Sequence, residues 1–221
     1  MLFTTPILVN QLPCIFSVLK KNDFLPRIVA FYGSNGNTLP AYVTIKSSSE
    51  SITPPVTGTG SGLNEKNTVT DLTPYLKSST NCPVNNTEIK ALVDSLTSGL
   101  TSDYDKAQAL FNYVRDAITY SFYYDTRYGA VGTLHAKAGN CVDHSHLLIS
   151  MFRTAGLASR YVQGSNCHFT SGTYGHVWTQ VLIDGNWIVA DATSARNSFG
   201  KIVNWNTNSF NLIGIYSGIS F

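Results

Sequence analysis

At Gly156 the spacing of apolar residues changes, and that change constrains the fold more than any other feature of the 221-residue chain. Before it, apolar residues recur at three and four. "NNTEIKALVDSL" opens on an asparagine cap and puts Ile89, Leu92, Val93 and Leu96 on one face. "TSDYDKAQALFNYVRDAI" does the same with Ala107, Leu110, Phe111, Val114 and Ile118, and the segment after Cys141 with Leu148, Met151, Phe152 and Ala155. Between the second and third of these helices, "TYSFYYDTRY" alternates as a strand does. After Gly156, which stops the third helix, the period becomes two in "SRYVQG", "GHVWTQVLI" and "NWIVADA", with Asp184-Gly185 as a hairpin turn. Helices followed by an antiparallel sheet predict an α+β domain.

The sequence upstream reads differently. Residues 1–46 hold "QLPCIFSVLK", "FLPRIVAFYG" and "TLPAYVTIK", each a Leu-Pro followed by a β-branched or aromatic run. Proline is tolerated at the first residue of a strand, and "GSNGN" is a turn signal, so these residues predict a small β-rich domain. Residues 47–70, opening "SSSESITPPVTGTGSG", lack an apolar period and read as a Ser/Thr/Gly/Pro linker. That leaves 71–221 for the α+β domain.

Composition narrows the function classes. Charged residues make up 13% of the chain, about half the usual share, and Ser, Thr and Asn take their place, as is common outside cells and in wall-associated proteins. A net charge of +2 with no Lys/Arg cluster argues against nucleic acid, and no apolar run approaches membrane-spanning length. The N-terminus lacks the basic start and small-residue cleavage site of a signal peptide. Four cysteines without a C-x-x-C are too few for a disulfide scaffold, although one bridge from Cys14 to Cys82 fits the count.

Cys141 stands where a reactive thiol would be placed. Asn140 is a good N-cap and Asp143 is spaced to complete a reciprocal cap, which makes Cys141 the first residue of its helix. Unpaired N–H groups and the positive end of the helix dipole favour a thiolate there and offer donors to an oxyanion. A buried structural cysteine is the competing reading. The hairpin decides between them. A two-residue Asp184-Gly185 loop sets Ile183 opposite Asn186, Trp178 opposite Asp191 and His176 opposite Thr193. His176, Trp178, Asp191 and Thr193 then share one face, with His176 and Asp191 as diagonal neighbours at up to ~7–8 Å between Cβ atoms. A thiol, an imidazole and a carboxylate to orient it are the parts of a nucleophilic triad.

"GNCVDHSHLLISMFRTAGLASRYVQG" and "YGHVWTQVLIDGNWIVADAT", with the order Cys, His, Asp, resemble the transglutaminase-like superfamily over roughly residues 85–200. The shared motifs are Gly139–Cys141, the turn Arg153–Arg160, His176–Trp178 and Trp187 followed by Asp191–Thr193. The resemblance implies a papain-like arrangement, a nucleophile helix packed on an antiparallel sheet, with Cys141 as nucleophile, His176 as base and acid, and Asp191 as orienter. "LFNYVRDAITYSFYYDTRYGAVGTLHAKAGNCVDHSHLL" and "NSFGKI" further resemble the pseudomurein endoisopeptidases of viruses infecting methanogenic archaea. Those enzymes cut the isopeptide bond between alanine and a lysine ε-amine. This implies a virus-encoded cysteine endopeptidase, made in the host cytoplasm, acting on the cell wall as a monomer. It also implies pseudomurein cross-bridges as partner and a wall-binding role for residues 1–46. Amine-accepting cross-linking by the same triad and a wall-binding module are the alternatives.

Animal transglutaminases place a tryptophan upstream of the cysteine as oxyanion donor, and no tryptophan precedes Cys141. A phenol from Tyr120, Tyr123, Tyr124 or Tyr128 is the expected substitute, Tyr124 first. Tyr124, Tyr128, Asn140 and Trp178 are expected at the oxyanion site or along the substrate groove. The chemistry requires a reduced thiol and no cofactor, while calcium fits the family without a ligand signature here. Zinc held by Cys141, His144, His146, Cys167 and His168 is disfavoured, because His144 and His146 leave the helix on different faces. His135 and a loop over 165–175 are expected to border the groove.

Overall fold

A computed structural model describes residues 57–221 and, before them, four short strands. The chain divides into two units, Met1–Ile52 and Thr53–Phe221. In the first, β1 (Pro6–Val9) pairs antiparallel with β2 (Leu12–Ile15), and β3 (Phe31–Tyr32) with β4 (Thr38–Leu39). The remainder of residues 1–56, and with it any wall-binding role, lies outside the described residues.

The second unit runs β5 (Thr57–Gly58), β6 (Glu65–Lys66), α1 (Thr87–Leu96), α2 (Asp103–Ala117), β7 (Thr119–Tyr120), α3 (Gly129–Ala136), β8 (Ala138–Gly139), α4 (Cys141–Thr154), β9 (Ser159–Phe169), β10 (Gly172–Ile183), β11 (Asn186–Ala190), β12 (Trp205–Asn206) and β13 (Asn211–Tyr216). An antiparallel sheet in the order β5-β13-β9-β10-β11-β6, with β12 also paired to β9, packs against α4. The fold is α+β and transglutaminase-like.

Local sequence explains the helices. Asn86 accepts from the N–H groups of Glu88 and Ile89 at 3.1 and 3.2 Å and starts α1, while Ser102 starts α2 by accepting from Asp105. Gly156, at φ 81, ends the third expected helix. Ile89, Val93, Leu110, Phe111 and Val114 from α1 and α2 close over Leu148, Met151 and Phe152 of α4, with Val181 and Ile183 of the sheet beneath. α4 itself is buried along its whole length from Val142 to Arg153, not on one stripe, so it is the central element between helices and sheet.

Three expectations need correction. The linker does not reach residue 70: β5 and β6 lie at the two edges of the sheet, and Gly62 and Leu63 accept hydrogen bonds from Trp178 and Gln180. The cause is a buried charge. The Arg160 guanidinium, fully buried, donates to Glu65 Oε1 at 2.7 Å and to Gln180 Oε1 at 2.8 Å and stacks over Trp187 at 4.0 Å. A charge removed from water needs such a partner, so Glu65 draws its segment onto the sheet. Second, "TYSFYYDTRY" is a strand only at Thr119–Tyr120, and α3 follows where no helix was expected. Third, residues 165–175 are not a loop: β9 and β10 continue as a ladder to Phe169 opposite Gly172.

Glu65→Ala should therefore lower the unfolding free energy by about 3 kcal/mol, since it strands the Arg160 charge. Chemical denaturation measures this; a loss under about 0.5 kcal/mol would show that residues 57–67 do not hold the sheet edge.

Candidate active site

The hairpin has the register the sequence dictates. Ile183 stands opposite Asn186 and Thr179 opposite Ala190, which delivers Asp191 one residue past the end of β11 and His176 near the start of β10's buried run. His176 Nε2 meets Asp191 Oδ2 at 2.9 Å, and both side chains are almost wholly buried. Asp191 has further donors: the Trp205 indole N–H to Oδ2 at 3.0 Å, and the Thr193 hydroxyl and N–H to Oδ1 at 2.6 and 3.2 Å. Every lone pair that could turn the carboxylate away from the imidazole is engaged. With Nε2 held by Asp191, Nδ1 is the nitrogen left for Cys141, which lines the same cleft.

Burial by itself would push His176 down. Asp191 and Cys141 outweigh it and raise the imidazole to about 10. Burial likewise pushes Asp191 up, but His176, Thr193 and Trp205 hold it down at about 2. An imidazole with this proton affinity, next to a thiol, is placed to take the thiol proton.

The wall opposite is built by a second buried carboxylate. Asn140 caps α4 by accepting from the Asp143 N–H at 2.9 Å. The reciprocal half of the cap does not form. Instead Asp143, fully buried, accepts from the Tyr123 hydroxyl at 2.5 Å, the Thr126 hydroxyl at 2.7 Å and the N–H groups of Arg127, Tyr128 and Gly129. Those N–H groups point at one oxygen pair and not along a ladder, which is why the alternating stretch is no strand. Gly129 reaches its bond at φ 62, where a side chain would be strained. Burial pushes the Asp143 carboxyl up, but Tyr123, Thr126 and the loop N–H groups hold it below the ordinary carboxylate value. Asn140 adds bonds from its amide to the carbonyls of Tyr123 and Asp125 at 3.0 and 2.7 Å.

Between the two walls lies an open cleft of about 940 Å³ containing Cys141 and His176. The N–H groups of Cys141 and Val142 have no acceptor among the described residues and stand at its floor. Tyr120 is set beside them, because β7 pairs in parallel with β8 and brings Tyr120 level with Gly139. Burial, then the charges of Cys141 and Asp191, raise its phenol to about 12, so it stays a donor.

The remaining expected residues separate. Tyr124 lines the cleft but is 84% exposed. Tyr128 lies outside the cleft lining and contributes its N–H to Asp143; Tyr123 has its hydroxyl engaged there. Asn140 is in the lining, with its amide committed to the loop. Trp178 is not in the groove: it is buried, stacks behind His176 at 5.8 Å and donates to Gly62. His135 is also away from the groove, paired with Glu88 on the surface. His144 bonds the Asn140 and Ile118 carbonyls and His146 the Tyr161 hydroxyl; Cys82, Cys141 and Cys167 are free thiols. Among the described residues no group of three or more His, Cys, Asp or Glu is arranged to hold a metal. Trp205 and Asn197 went unforeseen. Asn197 donates to the Asp191 carbonyl at 3.0 Å and accepts from Val203 and Asn204, holding the segment that carries Trp205.

The His176 titration gives a test that needs no substrate. Its imidazole should remain protonated until about pH 10 by NMR, and in Asp191→Asn should titrate more than about two units lower, since burial then dominates. An unchanged titration in the variant would refute the role given to Asp191. Stability follows with the same sign: the His176 contribution, complete below its ordinary 6.5, disappears as pH rises through about 10. That of Asp191, complete above 3.8, disappears as pH falls through about 2.

Residues 90–192 match the family model for the transglutaminase-like superfamily. No curated protein matches the chain. Among solved structures, it is similar to a candidate cysteine protease from Cytophaga hutchinsonii, at 24% identity and a TM-score of 0.56, covering 67% of this chain and 48% of that one. It is also similar to a candidate protease from Parabacteroides distasonis, at 17% identity and a TM-score of 0.42, covering 62% of this chain and 30% of that one. A third similarity is to the periplasmic domain of TgpA from Pseudomonas aeruginosa, at 18% identity and a TM-score of 0.43, covering 54% of this chain and 45% of that one. The chain spans less than half the length of each of these structures. The chain shares the transglutaminase-like fold, and Cys141, His176 and Asp191 all lie within the residues that match the superfamily model.

Proposed function

We propose that this protein is a cysteine endopeptidase that hydrolyses the isopeptide bond between alanine and a lysine ε-amine in pseudomurein cross-bridges. One observation carries the chemistry: His176 is held by Asp191 on one nitrogen, with the Cys141 thiol beside its ring in an open cleft. The substrate rests on the resemblance of residues 110–148 and 197–202 to pseudomurein endoisopeptidases.

In the reaction, the proton of the Cys141 thiol is held at His176 Nδ1 and the sulfur attacks the scissile carbonyl. The oxyanion sits between the Cys141 N–H and the Tyr120 hydroxyl. Collapse breaks the C–N bond, and the lysine amine leaves with the proton from His176, giving a thioester on Cys141. Water then attacks the thioester, yields its proton to His176 and releases the alanyl carboxylate, which frees the sulfur beside the protonated ring. No step needs a cofactor beyond a reduced thiol. The site of action is the cell wall, with the protein made in the host cytoplasm from a viral gene and working as a monomer.

Purified pseudomurein walls incubated with the protein should lose turbidity and gain free ε-amines, and Cys141→Ala should do neither. Equal lysis by the variant would discard the thiol mechanism, and uptake of a labelled amine without lysis would reassign the protein to cross-linking. Tyr120→Phe should lower kcat by about 10²-fold with little change in KM, the signature of a lost oxyanion donor. An unchanged kcat would remove Tyr120 from the mechanism.

A further inference from the structure

The cleft is almost without charge. Its walls are Tyr120, Phe122, Tyr124, Phe169 and Tyr174 with small polar residues, and no lysine or arginine lines it. Apart from the reacting Cys141 and His176, the one ionisable acid or base there that is not a phenol is Asp125. Its backbone is fixed. The carbonyl accepts from Asn140 at 2.7 Å, and φ is 58, a conformation that Asp and Asn tolerate better than other side chains. Its carboxylate is exposed to the cleft and has no partner among the described residues. Arg127, two residues on, lies over the Tyr123 ring at 4.1 Å and near Tyr128 at 5.9 Å.

Asp125 also lies beside aromatic faces that nothing else covers. Phe122 is 62% and Tyr124 84% exposed, and their rings meet edge-on at 5.5 Å. From there a run of rings leads inward: Phe122 to Tyr174 at 6.3 Å, Tyr174 to Phe169 at 5.9 Å, and Phe169 to His176 at 5.2 Å. Ring faces carry negative charge density, so two rings and a carboxylate with no opposing cation make a field that favours a positive ligand. The rings between this point and His176 would cover the aliphatic part of a chain reaching from the reacting bond.

We propose that Asp125, Phe122 and Tyr124 form a subsite for a primary alkylammonium group, the free side-chain amine of a lysine-type residue near the scissile bond or of an amine nucleophile. This extends the peptidase reading by naming a charge selectivity for the same cleft, and it rests on that reading for the position of the scissile bond.

The test uses Cys141→Ala protein, so binding is read without turnover. Two peptides differing only in lysine or norleucine are titrated by calorimetry. The lysyl peptide should bind about three- to tenfold more tightly. Asp125→Asn, which keeps the backbone conformation, should abolish that difference, and Asp125→Lys should shift preference to a glutamyl peptide. Cadaverine displacing the lysyl peptide would show that a free amine also enters the subsite; failure to displace it would assign the subsite to peptide-borne ammonium alone. Equal binding of the two peptides, or a preference that survives Asp125→Asn, would overturn the proposal. If walls are not lysed by the parent protein but the lysine preference holds and depends on Asp125, the peptidase reading falls and the subsite stands. Lysis without the preference means the reverse.

Discussion

A carboxylate taken out of water costs several kcal/mol unless donors replace its hydration. Two such carboxylates, Asp143 on the helix wall and Asp191 on the sheet wall, organise everything around the cleft. Each recruits hydrogen-bond donors from a neighbouring segment of the chain. Asp143 gathers Tyr123, Thr126 and the N–H groups of 127–129; Asp191 gathers Thr193 and Trp205, with Asn197 fixing the chain between them. The loop before α3 is therefore ordered by these bonds, while Trp205 is held also by its pairing with β9 and by packing on Val162, Trp178 and Phe210. One side of each carboxylate's surroundings then faces the cleft: Tyr120, Phe122, Tyr124 and Asp125 beside the first, the His176 ring beside the second.

The two carboxylates do unlike work because of what else they touch. Asp143 meets only neutral donors, so its charge is balanced by a nest of N–H and O–H dipoles and it acts as a clamp for the loop. Asp191 meets one titratable group, His176, and its charge is transmitted into the proton affinity of the ring. Trp205 and Thr193 take the remaining lone pairs, so Asp191 stays oriented while the ring changes protonation.

What the sequence disclosed and what it hid divide along sequence distance. The hairpin was legible from Ile183 opposite Asn186 to Thr179 opposite Ala190, since a two-residue Asp184-Gly185 turn and a period of two leave no freedom in register; the expected pairs Trp178–Asp191 and His176–Thr193 lie beyond the end of β11. The starts of α1 and α4 were legible because Asn86 and Asn140 cap locally. Glu65 with Arg160 and Trp205 with Asp191 are 95 and 14 residues apart in pairs no periodicity marks, so the edge strands and the Trp205 contact were not visible. α3 was hidden because Gly129 and Gly132 depress helix propensity and its start is fixed by Asp143, not by a local cap. The loop over 121–128 was misread for a related reason: alternation predicts a strand only if the N–H groups have no stronger acceptor than a neighbouring strand. Which tyrosine stands opposite Gly139 follows only from the β7–β8 pairing, which no local signal marks.

The proposed reaction asks opposite things of His176 in its two halves, and the geometry answers both. In acylation the ring must give a proton to a departing alkylamine, whose conjugate acid has a pKa of about 10.4; an imidazole raised to about 10 is closely matched to that task. In deacylation the ring must accept a proton from water, which a ring that is held protonated cannot do. Cys141 resolves the conflict. Part of the rise in His176 comes from the sulfur beside it, and a sulfur bound in a thioester carries no charge and offers no hydrogen bond to the ring. Burial, which pushes His176 down, then faces Asp191 alone, and the ring, its proton affinity lowered, is more readily left neutral to accept a proton once the acyl group is in place. The change in the nucleophile's own charge thus resets its partner from acid to base between the two steps.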